Sequence, residues 1–394
     1  MWAERRSVRP GQRGRIPGLG SAVACLLTLA VGCAGGAPVP AAPTVAPTPA
    51  PAPAPPVAAG SPAAQAAAPT ELPSARPPRL VKIGTIPTIS DSPALIAEHR
   101  GYFATVGLQT ELVPLSSGAE AIPALTTGQI DVGTAITPTV ALVNAIQRGL
   151  ALKAVASTGN STRERWGSGF AISGALDHPV ASLKDFTPPI RIATTGEGTL
   201  PQALAIILAR RDGVPLSDLA LVTMPLPDMI AALANGSIDV ATSTEPFVAL
   251  GERNGSVKRW HAYAELLPDI TVGTVMFGES FLSTDRDAGE RFLQAWLRGV
   301  RDYEDVFSTG RDADEILALI GGPTRTTPET FALFRQTRSL SFLPPDGRID
   351  TRPWAEVVEV WKSQGLVGDF DARTLVDSSF AEKAVGRLGP YRPR

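Results

Sequence analysis

The sequence predicts an α/β protein of two lobes, each a mainly parallel sheet flanked by helices. The first observation is a repeat. Residues 124–138 read ALTTGQIDVGTAITP and residues 232–246 read ALANGSIDVATSTEP, identical at eight of fifteen positions. Each copy reads as a helix end, a Gly turn, a short strand and a second helix opened by Pro138 or Pro246. The second observation is that strand and helix signals alternate around both copies, the pattern of sheets whose crossovers are helices. The third is the copy number. Two copies so far apart do not make a solenoid, but two similar lobes leave a cleft, and such clefts bind small molecules.

The elements follow in order. Leu80–Thr85 is a first strand. A helix follows it, with Ser92 as N-cap, Pro93 at its first position and Gly101 just past its end. Leu108–Val113 is the second strand. Ser117-Gly118-Ala119-Glu120 has capping-box spacing and opens a helix to about Thr127. Ile130–Gly133, a helix over Pro138–Arg148 and a strand over Leu152–Ser157 complete the first series. The second series restarts at Ile190–Thr194. Thr199-Leu200-Pro201-Gln202 is another capping box, opening the helix Pro201–Arg211. Strands at Leu219–Thr223, Ile238–Ala241 and Val272–Phe277 alternate with helices at Pro227–Ala234 and Pro246–Glu252. Five helices close the chain: Arg286–Phe307, Ala313–Leu319, Pro328–Leu340, Trp354–Gln364 and Ser379–Arg387. Phe292, Trp296, Val300 and Tyr303 fall at helical spacing and assign the first of them to a domain interior.

The N-terminal segment reads as an address. Arg5, Arg6, Arg9, Arg13 and Arg15 precede the apolar stretch Ser21–Gly32, which ends in Ala30-Val31-Gly32-Cys33. Small residues before a cysteine resemble a bacterial lipobox, so Cys33 is the expected site of lipidation; the alternatives are an ordinary signal peptide cut near Ala34–Ala37, or twin-arginine export through Arg5-Arg6. Residues 34–79, rich in Pro and Ala, form an extended solvated spacer. The expected organisation is therefore 1–33 signal peptide, 34–79 disordered linker, 80–172 first lobe, 173–271 second lobe, and 272–394 a return to the first lobe with C-terminal helices.

Composition excludes several functions. A net charge of −2 argues against nucleic acid. Cys25 and Cys33 are the only cysteines, so the folded part has no disulfide and no Cys-based metal site. His99, His178 and His261 are far apart in sequence, and no metal or cofactor is expected. The chain also lacks a G-x-S-x-G elbow, an H-E-x-x-H motif and a P-loop.

In open parallel sheets, ligands bind beyond the carboxyl ends of the strands, where helix N-termini offer unpaired N–H groups. The loops expected there are rich in small hydroxyl residues: 87–91, 116–118, 136–137, 157–159 and 194–199. In the last, Gly196 and Gly198 permit close approach, and Thr199 faces either a ligand or its own helix. The loop 159–166 adds Arg163, Arg165 and Trp166, either closing over a ligand or solvated. Glu245 stands where the first copy has Thr137, either accepting from a ligand amine or capping its own helix.

These residues resemble the substrate-binding proteins of nitrate/sulfonate/taurine ABC importers and their relatives that bind thiamine-pyrimidine precursors. The matching stretches are Val81-Lys82-Ile83-Gly84, Ala97-Glu98 through Gly101-Tyr102-Phe103, Gly107-Leu108, Gly128-Gln129-Ile130-Asp131-Val132-Gly133, Glu245-Pro246 and Val376-Asp377-Ser378-Ser379-Phe380. The resemblance spans about residues 80–390. It implies a periplasmic-binding-protein-like (type II) fold that closes by hinge bending on a solute, with Thr88, Ser117, Thr137, Thr195 and Glu245 as cleft residues. Gly196, Thr199 and Trp166 join that set from the loops. The implied partners are a small-molecule solute, an ABC permease and ATPase, and the membrane through a lipid anchor. The implied state is an exported monomer, on the outer face of the cytoplasmic membrane or in the periplasm. Hydroxyls and helix termini fit a sulfonate-like solute, while Glu245, Glu197 and Trp166 fit a pyrimidine-like or amine-bearing one. Glu197, in the loop best suited to phosphate, counts against nitrate, and the organic classes are preferred to an inorganic anion. The other classes are a receptor serving a sensor without transport, and an enzyme like the pyrimidine-precursor synthase of the same fold. That synthase resembles a cysteine-dependent enzyme, and this chain has no cysteine beyond Cys33.

Overall fold

The computed structural model describes residues 77–86, 88–115 and 118–394. The expected signal peptide, Cys33, nearly all of the spacer, and Ser117 lie outside the described residues.

The strands are β1 (Arg79–Thr85), β2 (Leu108–Pro114), β3 (Val132–Ile136), β4 (Lys153–Asn160), β5 (Ser168–Ser173), β6 (Ile190–Thr194), β7 (Leu219–Thr223), β8 (Val240–Thr244), β9 (Val257–Ala262) and β10 (Thr271–Phe277). They form two five-stranded sheets of the same plan, ordered β2-β1-β3-β10-β4 and β7-β6-β8-β5-β9. In each sheet four strands run in one direction and one, β10 or β5, runs against them, paired antiparallel on both sides. β5 leaves the first series to enter the second sheet, and β10 leaves the second to enter the first. The chain therefore crosses between lobes over residues 161–167 and 263–270. The first crossover precedes the expected boundary at 172, because β5 belongs to the second sheet.

β5 and β9 had no clear signal in the sequence. β5 is Ser-Gly-Phe-Ala-Ile-Ser, too poor in β-branched residues to stand out. β9 is Val-Lys-Arg-Trp-His-Ala, a half-exposed edge strand with charged positions that suit an edge.

The repeat is a structural repeat. Lys82 N–H donates to the Asp131 carboxylate at 3.0 Å, and Asp131 N–H donates back to Lys82 O at 2.9 Å. Arg191 and Asp239 make the same two bonds, at 2.8 and 2.9 Å. Gly128 and Gly236 hold φ of +71° and +72°, a turn that favours glycine. Thr134 donates to Gly84 O and Thr242 to Ala193 O, each at 3.0 Å. The shared Gly, Asp and Thr thus stitch the third parallel strand to the first in both lobes.

The helices are α1 (Ser92–His99), α2 (Tyr102–Thr105), α3 (Gly118–Thr126), α4 (Val140–Gln147), α5 (Leu200–Asp212), α6 (Leu226–Ala234), α7 (Phe247–Arg253), α8 (Tyr263–Leu266), α9 (Arg286–Ser308), α10 (Ala313–Thr324), α11 (Pro328–Thr337), α12 (Arg352–Ser363) and α13 (Ser379–Leu388). Phe292, Trp296, Val300 and Tyr303 of α9 are fully buried in the first lobe, beside Phe277, Phe281 and Phe380. Not all of the C-terminal region returns there. α11 packs on α7 and α12 on α5, both in the second lobe. Trp354 and Trp361 of α12 share one continuous apolar cluster with Leu142 and Val143 of α4 and Leu204 and Leu208 of α5. Tertiary contact decides this placement, because an amphipathic helix does not encode which lobe it covers. Among the described residues, no helix is long and apolar enough to cross a membrane, and no three His, Cys, Asp or Glu side chains gather as a metal site.

Candidate functional site: the cleft between the lobes

The first lobe brings the carboxyl ends of β1 and β3 together with the start of α3. A Cβ on Gly118 would lie 3.9 Å from Ile86, from Ile136 and from the backbone nitrogen of Thr137. Thr137 is half-buried there. Thr88, half-buried on the loop after β1, has a buried Oγ1 with no hydrogen-bond partner among the described residues.

The second lobe presents the loop 195–199, with Thr195 and Glu197 exposed and Gly196 half-buried. Gly196 and Gly198 have φ of +146° and +66°, which side chains rarely adopt. The two lobes touch here. Thr139 and Thr199 form an antiparallel bridge, and Val140 N–H donates to Gly198 O at 2.8 Å. A Cβ on Gly198 would sit 2.8 Å from the Val140 side chain. The lobes therefore meet at this point, with Thr137 and Thr195 beside the contact in sequence. The loops 86–91, 136–139 and 195–199 contain no lysine or arginine.

Thr199 acts as a helix cap. Gln202 N–H donates to its Oγ1 at 3.4 Å, and Gly198 N–H donates to Gln202 Oε1 at 2.7 Å. Only half of the expected capping box forms, because the return bond comes from Gly198 N–H instead of Thr199 N–H. Thr199 Oγ1 also donates to Gly196 O at 2.7 Å, which shapes the loop.

Glu245 is committed inside the second lobe, and Trp166, half-buried on the first crossover, leans on it with an Nε1 that has no hydrogen-bond partner among the described residues. Glu245 is buried, accepts from Ala249 N–H at 3.0 Å and pairs with Arg259. Burial pushes its carboxyl up, against the pull of Arg259. Arg259 also pairs with Glu252 at 2.9 Å and lies 5.3 Å over the Trp166 ring. Trp166 in turn covers Gly169, leaving no room for a side chain there.

The two crossovers are held by hydrogen bonds. Ser161 N–H donates to Ile270 O at 3.0 Å, joining the two crossovers. Residues 338–342 run beside the first crossover: Asn160 and Phe342 exchange backbone bonds, Trp166 N–H donates to Arg338 O, and Gly167 N–H to Ser339 O. Arg165 makes a two-pronged pair with the buried Glu304 of α9, at 3.0 and 2.8 Å. Glu304 also accepts from Leu343 N–H at 2.9 Å. Burial raises its carboxyl and Arg165 opposes that shift.

Asp91 and Arg165 both lie in polar loops, yet nothing local in the sequence marks Asp91 as a buried carboxyl or Glu304 as the distant partner of Arg165. Thr158, fully buried at the end of β4, has a hydroxyl without a hydrogen-bond partner among the described residues.

A model of the NMT1-like family matches residues 74–318, well over half of the chain. No curated protein matches the sequence. Among solved structures, the fold is similar to the periplasmic nitrate-binding protein NrtA of Synechocystis PCC 6803, at 13% identity and a TM-score of 0.65, covering 79% of this chain and 89% of that one. It is similar to the periplasmic aliphatic sulphonate binding protein SsuA of Escherichia coli, at 14% identity and 0.61, covering 77% and 99%. It is also similar to the ligand-binding component of an ABC-type import system from Staphylococcus aureus, whose structure has zinc bound, at 18% identity and 0.61, covering 78% and 99%.

Proposed function

The chain belongs to the NMT1-like family, and from that premise we propose that it is an extracytoplasmic solute receptor, not an enzyme, that traps a small polar organic molecule and delivers it to an ABC importer. The observation that carries this is the meeting of two hydroxyl-rich loops across the cleft, at Thr139–Thr199 and Val140–Gly198. Such a contact brings the lobes together without fixing what fills the cleft.

The proposed contact set is Thr88, Thr137, Thr195 and Gly196, with Ser117 at the start of α3. Thr199 shapes the second-lobe loop from its capping position. Glu245 supports that lobe from within, and Trp166 leans on it from the first crossover. Three cleft loops without a cation, one of them bearing Glu197, favour a sulfonate-like or pyrimidine-like solute over nitrate. Cys33 is the proposed lipid anchor and residues 34–79 the tether, which would hold a monomeric receptor near its permease.

A thermal-shift screen with taurine, alkanesulfonates, nitrate, aminopyrimidines and riboflavin tests the proposal. A true solute stabilises the fold by about 2.7 kcal/mol at a hundred times its dissociation constant. Nitrate as the sole stabilising compound would overturn the assigned solute class.

A further inference from the structure

Asp91 ties off the first cleft loop. Its side chain is buried at the end of the turn 89–91, and Ile86 N–H donates to its Oδ2 at 2.5 Å. That bond closes the loop 86–91, which carries Thr88. Its other oxygen meets the Thr134 hydroxyl, and that hydroxyl also lies 3.0 Å from Gly84 O.

A hydroxyl has one proton to give. With Asp91 ionised, Thr134 must leave either the carboxylate or Gly84 O without it. With Asp91 protonated, the chain closes: Asp91 donates to Thr134 Oγ1, and Thr134 donates to Gly84 O. In the sister lobe Thr242, the repeat counterpart of Thr134, likewise gives its proton to a backbone carbonyl, Ala193 O at 3.0 Å.

No neighbouring charge supplies an alternative partner among the described residues. On β1, Arg79 pairs with Asp131 and Asp285, and Lys82 lies four residues before Ile86, about 13 Å along the strand. On β4, Lys153 bonds Thr374 O. On α1, Glu98 accepts from Thr110, and His99 pairs with Glu315. β3 carries no titratable side chain. Burial raises Asp91 to about 7, against the opposing bonds from Thr134 and Ile86.

We propose that Asp91 is a proton-bearing positioning residue: protonated, it stays buried and holds the loop 86–91 in the shape that presents Thr88 to the cleft, and on losing the proton its unpaired buried charge draws in water and loosens that loop. The consequence for solute capture rests on the receptor function proposed above; the proton and the loop do not.

The test compares parent, Asp91→Asn and Asp91→Ala between about pH 5 and about pH 8. The folded protein keeps a proton that unfolded aspartate loses near pH 4, so this contribution to stability falls as pH rises toward 7. Asparagine mimics the protonated acid, donating to Thr134 and accepting from Ile86. The expected result is that the melting temperature of Asp91→Asn gains on that of the parent between about pH 5 and about pH 8, and exceeds that of Asp91→Ala at both. Amide exchange over 86–91, corrected for its intrinsic pH dependence, should quicken above neutrality in the parent and stay constant in Asp91→Asn. The parent's affinity for taurine or aminopyrimidine should weaken about tenfold by pH 8. Identical pH profiles of melting and exchange in Asp91→Asn and parent overturn the proposal. Those profiles as expected, with no panel compound binding at any pH, support the proton and count against the receptor function alone.

Discussion

Val140 and Gly198 meet across the cleft through a 2.8 Å backbone hydrogen bond, with Val140's side chain filling the space a Cβ on Gly198 would need. The contact needs glycine twice over, for its φ of +66° and for its missing side chain. The lobes are thus held together by backbone at a point where almost any substitution is a wedge.

Gly198→Val should open that contact. The left-handed conformation alone costs about 1–2 kcal/mol for a side-chain-bearing residue. Small-angle scattering should show a larger radius of gyration in the variant. An unchanged scattering curve would mean that the contact does not hold the lobes.

Thr137→Val and Thr195→Val test the solute contacts. Each removes a hydroxyl at nearly constant volume from a half-buried or exposed position. The unliganded melting temperature should hardly move. A solute that stabilises the parent should lose about 0.5–1.5 kcal/mol of affinity for each bond removed. Full retention of the thermal shift in both variants would remove these threonines from the site.

Glu245→Ala should behave differently. It leaves Arg259 largely buried with only Glu252, and uncaps α7 at Ala249. Breaking such a pair costs about 3–5 kcal/mol. Calorimetry without solute should therefore show a clear loss of stability. An unliganded variant as stable as the parent would contradict the structural role described here.

Arg165→Ala strands Glu304 beneath the hinge. Burial already raises that carboxyl, and without Arg165 it rises further. The folded variant then holds a proton that unfolded glutamate releases, so its stability declines as pH increases through the ordinary glutamate range. Urea unfolding should show a deficit of about 3–5 kcal/mol near neutrality, smaller in mild acid. A deficit independent of pH would exclude the unpaired carboxyl as its cause.

Trp354→Phe removes the donor to Thr271 O, a 2.9 Å bond from α12 to the start of β10. The unsatisfied buried carbonyl should cost about 1–3 kcal/mol. Trp354→Ala, which also empties part of the cross-lobe cluster, should cost about 3–5 kcal/mol. Equal melting temperatures for Trp354→Phe and the parent would show that this bond is dispensable.

Helix caps, glycine turns and strand runs were legible because each is set within a few residues. Thr199 with Gln202 and the paired Gly128 and Gly236 are of that kind. The cleft loops were legible as stretches, because carboxyl ends of parallel strands are where ligands gather. Their individual roles were not. Glu245 occupies the repeat position of Thr137, yet Arg259 arrives beside it from β9, an edge strand with a faint local signal. Asp91 is a loop carboxylate by sequence and a buried acid only because Thr134 and Ile86 close around it.

The chain by itself determined two similar α/β halves, because the repeat's Gly, Asp and Thr fix a turn and three hydrogen bonds wherever they occur together. Tertiary structure alone decided that β5 and β10 trade sheets and that α11 and α12 pack against both lobes. It also decided which hydroxyls stay free at the seam. Those outcomes depend on surfaces that meet across a hundred or more residues, and no local pattern records which surface wins.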